Sequence, residues 1–534
     1  MQIYEGMRRK QKVKKMKKLE YNEFLDKVHG CWYGKCLGGA AGAPLEGVKK
    51  LIDINDFTEV FNPDLPNDDL DLQLLWIDVL KNKGYNISSC DLADAWIEKC
   101  WYPFSEYGYF MKNYMRGIEP PYSGIVNNRF FKEGMGCPIR SEIWGILCAG
   151  NPEKAKEYAY IDACLAHADN SVYAEQFLAC IEAMAFYENN IYELIVKGMK
   201  FIPVNSKLYK AFIYILEKYS VGESWIAVRQ NLLNKFGHPD FTNVVQNLGM
   251  VLIALLYGNG DMRETINIAL RCGFDTDCTC ASAASVIGII KGYKALGDLG
   301  ELIKDYFVFG IDLELETDSI YEMAKETAML AANMPENVEL SPIYPSEAGM
   351  KESLKKVEPV KWKIYGPYFD QLDLPINPEY PSPHGDGCVL PDIVCMVNNE
   401  VFLDRNYIKG EMAAEIDSYE DFIEIDKVIT MEGQYACIAE TTIVSPDDRR
   451  VWAVIGNNDG FSLCVNGEEV LKKDEIRLWT PYNNFCYVDL KKGENKISIK
   501  LLKRTKSLDF SIGMRIYDGI HWHRSKWCTD LLYV

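Results

Sequence analysis

The sequence predicts an all-α region followed by an all-β jelly-roll or sandwich domain, and three observations carry that expectation. From about Tyr21 to Ala332 the apolar residues recur at helical spacing. Nine of the 22 prolines lie between Pro335 and Pro383, a density that neither a helix interior nor a central strand tolerates. Beyond them the period falls to two, in short runs separated by turn dipeptides. The chain accordingly divides into a basic tail over residues 1–18, a helical domain over 19–334, a Pro-rich linker over 335–383 and a β accessory domain over 384–534.

The tail holds eight basic residues between Arg8 and Lys18, in a chain whose 58 Lys and Arg against 77 Asp and Glu give a formal charge of −19. A solvated tail is the plain reading and contact with an anionic surface the alternative. The acidity of the remainder argues against a nucleic-acid partner and against an anionic membrane. After the tail come Leu19-Glu20-Tyr21-Asn22, where a secretory signal would place an apolar stretch, and no apolar run approaches the ~20 residues of a bilayer span. A cytoplasmic location is expected. The 17 cysteines are scattered through apolar segments, as at Cys164, Cys180 and Cys437, and read as small buried hydrophobes. Cys278-x-Cys280 alone is too little for a zinc site.

In the helical domain the periodic segments include Leu70 to Leu80, Tyr173 to Tyr187, Val244 to Leu256 and Ala281 to Tyr293. In the β domain the runs include Tyr435 to Val444, Val451 to Ile455, Phe461 to Val465, Cys486 to Leu490, Lys496 to Leu501 and Phe510 to Ile516. Asp459-Gly460, Asn466-Gly467 and Gly493-Glu494 supply turns between them. The aromatics Trp452, Trp479, Tyr482 and Trp522 suit core packing or, as the alternative, a carbohydrate-binding face.

Three segments could carry chemistry. The run Gly30 to Gly47 has small residues at spacings of four, which suits a tightly packed helix that ends by presenting Glu46 at a turn. Alone, such a Glu is solvated surface. Asn67-Asp68-Asp69 leads into the helix at Leu70, where a cap and an acidic first turn would satisfy the helix dipole. Gly273-Phe274-Asp275-Thr276-Asp277-Cys278 leads into a helix of small residues, Ala281 to Ser285. Two carboxylates at i and i+2 in such a loop can converge on one hard cation, whereas capping explains only one of them.

Taken together, Gly34-x-x-x-Gly38 through Gly42-Ala43-Pro44-Leu45-Glu46-Gly47, Asn67-Asp68-Asp69 and Gly273-Phe274-Asp275-Thr276-Asp277 resemble the ADP-ribosylglycohydrolase family in order and separation, over roughly residues 25–295. The resemblance implies an all-α orthogonal helical bundle with a binuclear magnesium site, manganese being the alternative ion. Carried over by position, Asp68, Asp69, Asp275 and Asp277 would be metal ligands. Asn67 and Cys278 stand where most relatives have threonines that contact metal, and Glu46 matches the glutamate near the scissile ribose. The segments Gly136 to Gly145 and Ala166 to Ser171 resemble those that line the cleft in one branch of the family. This makes Arg140, His167 and Asn170 candidates for binding ribose and diphosphate. Plainer readings are a structural ion pair for Arg140 and a satisfied core residue for His167.

The expected function is a metal-dependent glycohydrolase that cleaves an N- or O-glycosidic bond of ADP-ribose or a related ribosyl compound, free or protein-linked. Glu46 would be its general acid or base. The alternative is a protein that binds an ADP-ribose-like ligand at a degenerate metal site without turnover. A thiol is a poor magnesium ligand, so Cys278 leaves one ion or two open. A serine hydrolase and a P-loop enzyme are set aside for want of a Gly-x-Ser-x-Gly elbow or a Gly-Lys-Ser/Thr ending.

Overall fold

The computed structural model describes residues 19–65, 68–368, 403 and 410–534, so the basic tail and Asn67 lie outside the described residues. The helices run in chain order as α1 (Tyr21–Gly42), α2 (Asp68–Lys83), α3 (Ser89–Lys99), α4 (Ser105–Met115), α5 (Glu142–Leu147), α6 (Pro152–Ala163), α7 (Asn170–Ala185), α8 (Ile191–Gly198), α9 (Lys207–Ser220), α10 (Trp225–Phe236), α11 (Val244–Tyr257), α12 (Met262–Cys272), α13 (Thr276–Lys291), α14 (Ile320–Asn333) and α15 (Glu347–Leu354). The strands are β1 (Val360–Tyr365), β2 (Met412–Ser418), β3 (Phe422–Glu424), β4 (Tyr435–Ser445), β5 (Arg449–Asn457), β6 (Phe461–Val465), β7 (Glu468–Lys473), β8 (Asn484–Leu490), β9 (Gly493–Lys503), β10 (Asp509–Ile516) and β11 (Leu532–Tyr533).

The chain forms two compact units. The first gathers Met1–Lys99, Glu133–Ala163 and Asp169–Pro342; the second gathers Cys100–Lys132, Cys164–Ala168 and Ile343–Val534. No helix among the described residues is long and apolar enough to cross a membrane.

Among the described residues the first unit is built of helices joined by loops, and local chemistry starts many of its helices. The side chains of Asn190, Ser206, Ser224, Asn243, Asp261 and Ser319 each accept a backbone N–H in the first turn of α8, α9, α10, α11, α12 and α14. At the centre lie α1 and α13, antiparallel. Gly30, Gly34, Gly38 and Gly42 lie over Gly288, Ala284, Cys280 and Thr276. A Cβ at any of those four glycines would fall closer than 3.0 Å to the facing backbone, so side chains are excluded along the whole contact. The four-residue spacing of the sequence thus becomes a backbone-to-backbone seam. The seam brings the end of α1, with Glu46 just beyond it, to the start of α13.

The second unit is a β-sandwich with α4, α15 and short helical turns. One antiparallel sheet runs β2-β1-β4-β9-β6-β7, with β11 also paired to β4, and the other runs β3-β10-β5-β8. The inward residues of both, among them Trp362, Cys437, Leu463 and Ile499 from the larger and Val451, Ile455, Val488 and Phe510 from the smaller, form one hydrophobic core. Asn466-Gly467 makes the β6–β7 hairpin turn with positive φ at both residues, as a two-residue hairpin requires.

Two boundaries differ from the sequence reading. The stretch 335–383, read as a linker, contains α15 and β1, and its residues 369–383 lie outside the described residues. Pro359 and Pro367 flank β1 at its ends, where a missing N–H breaks no ladder bond. Residues 100–132 and 164–168 belong with the strands. Lys112 of α4 donates to Asp421 at 2.7 Å, Tyr109 packs on Trp527 with ring centroids 5.3 Å apart, and Asn127 accepts the Asp421 N–H at 2.8 Å. Helical periodicity reports that a face is buried, not what it is buried against.

Candidate functional site

The seam between α1 and α13 continues past the helix ends. Thr276 Oγ1 donates to the Gly42 carbonyl at 2.8 Å, Gly47 N–H to the Phe274 carbonyl at 2.8 Å, and Phe274 N–H to the Val48 carbonyl at 2.9 Å. Gly273 (φ +71°) is the position that turns the loop, since a side chain there would strike the carbonyls of Val48 and Lys50. The Glu46 turn and the Asp275–Asp277 loop are therefore bonded to each other through backbone.

Carboxylates meet where they are bonded. Asp69, Asp277 and Cys278 each offer one atom within 4.8 Å of the others, and so do Glu46, Asp275 and Asp277. Asp277 belongs to both triads. Asp275 occupies the N-cap position of α13 but makes no capping bond, unlike the cap residues of α8 to α12. Its N–H is held instead by Asn247 Oδ1 at 3.4 Å. Asp277 Oδ1 is buried with no hydrogen-bond partner. Asp68 opens α2, and its charge acts on both Glu46 and Asp277.

The electrostatics of the cluster suit a positive charge. Burial, then Glu46 and Asp68, push the Asp277 carboxyl up to about 7. Glu46, though exposed as a residue, is pushed up to about 7 by the protein around its carboxyl, then by Asp68 and Asp69. Burial raises Asp69 and Asp275 well above the carboxylate range, and their acidic neighbours add to the shift. Burial likewise raises the Cys278 thiol. Like charges in a dry place cannot all ionise without a cation. Orphaned carboxylate oxygens and raised pKa values together fit a divalent cation held by hard oxygen donors.

Behind the cluster lies a buried polar network that sequence reasoning missed. Lys35, in the middle of α1, is fully buried, with Nζ 2.8 Å from the Ile139 carbonyl, 3.1 Å from Glu142 Oε1 and 3.5 Å from Asp69 Oδ2. Gln73 Nε2 donates to Glu142 Oε2 at 2.9 Å while its Oε1 accepts the Ile143 N–H. Ser285 Oγ donates to Glu142 Oε1 at 2.9 Å. The available signal was a charge set inside a run of small and apolar residues, Tyr33-Gly34-Lys35-Cys36-Leu37.

The three expected substrate contacts are engaged elsewhere. Arg140 is fully buried, with Nη2 2.7 Å from Asp162 Oδ1 and Nη1 donating to the Gly136 carbonyl at 2.6 Å. Trp144 Nε1 completes the Asp162 carboxylate at 2.9 Å. The arginine is therefore held in the interior of the unit, with its charge met by Asp162. Asn170 donates to Glu133 Oε1 at 2.6 Å and accepts the Leu208 N–H at 3.0 Å. His167 belongs to the second unit, buried, with Nε2 3.1 Å from Glu106 Oε1. In that unit Trp452 and Trp522 are buried together with Val454, and Trp479 donates to Ser511 Oγ at 3.2 Å.

A family model described as ADP-ribosylglycohydrolase matches residues 20–335. Among solved structures, a chain of an ADP-ribosylglycohydrolase-related protein complex is 18% identical, over 58% of this chain and 99% of its own, with a TM-score of 0.37. A PA14 sugar-binding domain from an RTX adhesin is 11% identical over 32% of this chain and 98% of its own, with a TM-score of 0.19. A β-glucosidase from Kluyveromyces marxianus is 10% identical over 46% and 34%, with a TM-score of 0.20. No curated protein matches the chain.

Proposed function

The chain belongs to the ADP-ribosylglycohydrolase family, with a β domain appended, and from that premise we propose that it is a metal-dependent glycohydrolase cleaving an N- or O-glycosidic bond of ADP-ribose or a related ribosyl compound. The family is one of hydrolases. The observation that carries the proposal is the convergence of Glu46, Asp69, Asp275 and Asp277, with orphaned oxygens and raised pKa values, at the junction of α1 and α13.

Asp68, Asp69, Asp275 and Asp277 would hold the ions, with Cys278 beside them, and magnesium, or manganese in its place, is the ion such oxygens suit. When bound, a divalent cation supplies Lewis-acid polarisation and a fixed charge against which sugar hydroxyls or a diphosphate are oriented. Glu46 is the proton carrier. With a pKa near 7 it can accept a proton from the water that attacks the anomeric carbon as the glycosidic bond breaks. Added positive charge beside it would lower that pKa, which favours the base role over the acid role. Arg140 and Asn170 support the walls of the unit in this reading, with their polar groups on Asp162 and Glu133.

Thermal unfolding of the full chain and of Asp277→Ala, with and without magnesium and ADP-ribose, tests the proposal. Magnesium should stabilise the wild type alone and ADP-ribose should add to it, by about 2.7 kcal/mol at 100 times its dissociation constant. No response to millimolar magnesium removes the metal assignment. Cys278 within the cluster favours one rival, a binding protein without turnover. Stabilisation by ADP-ribose with no product from any ribosyl substrate, in magnesium or manganese, would select it.

A further inference from the structure

We propose that the acidic centre is divided by ion type: beside the hard divalent cation of the reading above, zinc is held at Asp69, Asp277 and Cys278. The inference deepens the metal reading above and rests on it. The two triads share Asp277 and differ in their other donors. The first is all carboxylate, with Glu46 kept for the proton and Asp275 and Asp277 as oxygen donors for magnesium, which demands oxygen and sheds its water reluctantly. The second replaces one oxygen by sulfur. Zinc accepts thiolate and carboxylate together in a four-coordinate site, and three protein donors leave it a fourth position.

Three features of the second triad point the same way. Cys278 Sγ lies 3.4 Å from Asp69 Oδ1, so thiol and carboxylate already face each other. Lys35 faces the other oxygen of Asp69, Oδ2, at 3.5 Å, which fixes the carboxylate with Oδ1 toward the sulfur. Asp277, nine-tenths buried, keeps Oδ1 without a hydrogen-bond partner. Cys280 is not a second thiolate, because its Sγ turns to the Ile266 carbonyl at 3.8 Å. The site is therefore a mixed one-sulfur site, unlike a structural zinc cage. On binding, the Cys278 S–H bond breaks, the sulfur lone pair coordinates the ion and the proton leaves to solvent, with no change in oxidation state.

The test uses the full-length protein, stripped with chelator and titrated with cobalt(II), a coloured stand-in for zinc. A thiolate-to-cobalt charge-transfer absorption should grow to saturation at one equivalent per chain, persist in Cys280→Ser and disappear in both Cys278→Ser and Cys278→Thr. Zinc should displace it and millimolar magnesium should not. Absence of the band in the wild type, its survival in the Cys278 variants, or its displacement by magnesium each overturns the proposal. Melting of the same preparation with magnesium separates the two readings. Stabilisation by magnesium without a cobalt–thiolate band leaves the metal-dependent reading standing and removes this one; no response to either ion removes both.

Discussion

Lys35 Nζ lies 3.5 Å from Asp69 Oδ2 and 3.1 Å from Glu142 Oε1, with all three side chains fully buried. One ammonium thus balances a candidate metal ligand and a carboxylate of the interior. Lys35→Met leaves both acids buried without their cation, which costs about 3–5 kcal/mol for a broken buried pair. Magnesium should return more stability to this variant than it gives the wild type, because it replaces part of the lost charge. Equal chemical-denaturation midpoints for the two proteins without metal would sink the idea.

Gly38→Ala should open the α1–α13 seam, since its Cβ would overlap the Cys280 backbone. Overpacking of this kind costs about 1–3 kcal/mol or more. Magnesium affinity, read by calorimetry, should fall as well, because Glu46 and Asp277 are placed by the two helices that are forced apart. Gly47→Asn is the control: that residue has positive φ with open space around it, which Asn tolerates. It should melt near the wild type.

Stability should depend on pH in opposite senses with and without metal. Glu46 and Asp277 are raised to about 7, against roughly 4 in an unfolded chain. Between those values the folded state holds more protons than the unfolded state, so their contribution is fully present below about pH 4 and is lost as pH rises through about 7. Magnesium needs the ionised carboxylates, so the rise in melting temperature it produces should grow from pH 5.5 to pH 8. A metal-induced shift that is flat across that range counts against these two groups as its source.

Arg140→Lys should lower the melting temperature, because an ammonium cannot reproduce the contacts to Asp162 and Gly136 together. Its magnesium affinity should match the wild type. A variant of unchanged stability that has lost ADP-ribose binding would restore the substrate role that the sequence suggests.

What could be read from the sequence was local. Glycines four apart announced the seam, paired aspartates announced the cluster, and Asn466-Gly467 announced its hairpin, since each is a pattern within a few residues. The partners of Lys35 and Arg140 were not legible. Lys35 meets Glu142 across 107 positions and Arg140 meets Asp162 across 22, and no short-range rule names a buried partner at such a distance. The prolines misled because they mark the ends of β1 as readily as they mark a linker.

The chain passes between its two units repeatedly, because residues 100–132 and 164–168 leave the helical unit and return to it. A gene fragment cut at the proline-rich stretch would therefore not yield two autonomous modules. The amino-terminal piece would carry Tyr109 and Lys112 without Trp527 and Asp421, an apolar ring and an ammonium newly exposed to solvent. The border that matters for shuffling, tagging or proteolysis is a braid of peptide crossings, and no single scissor-cut follows it.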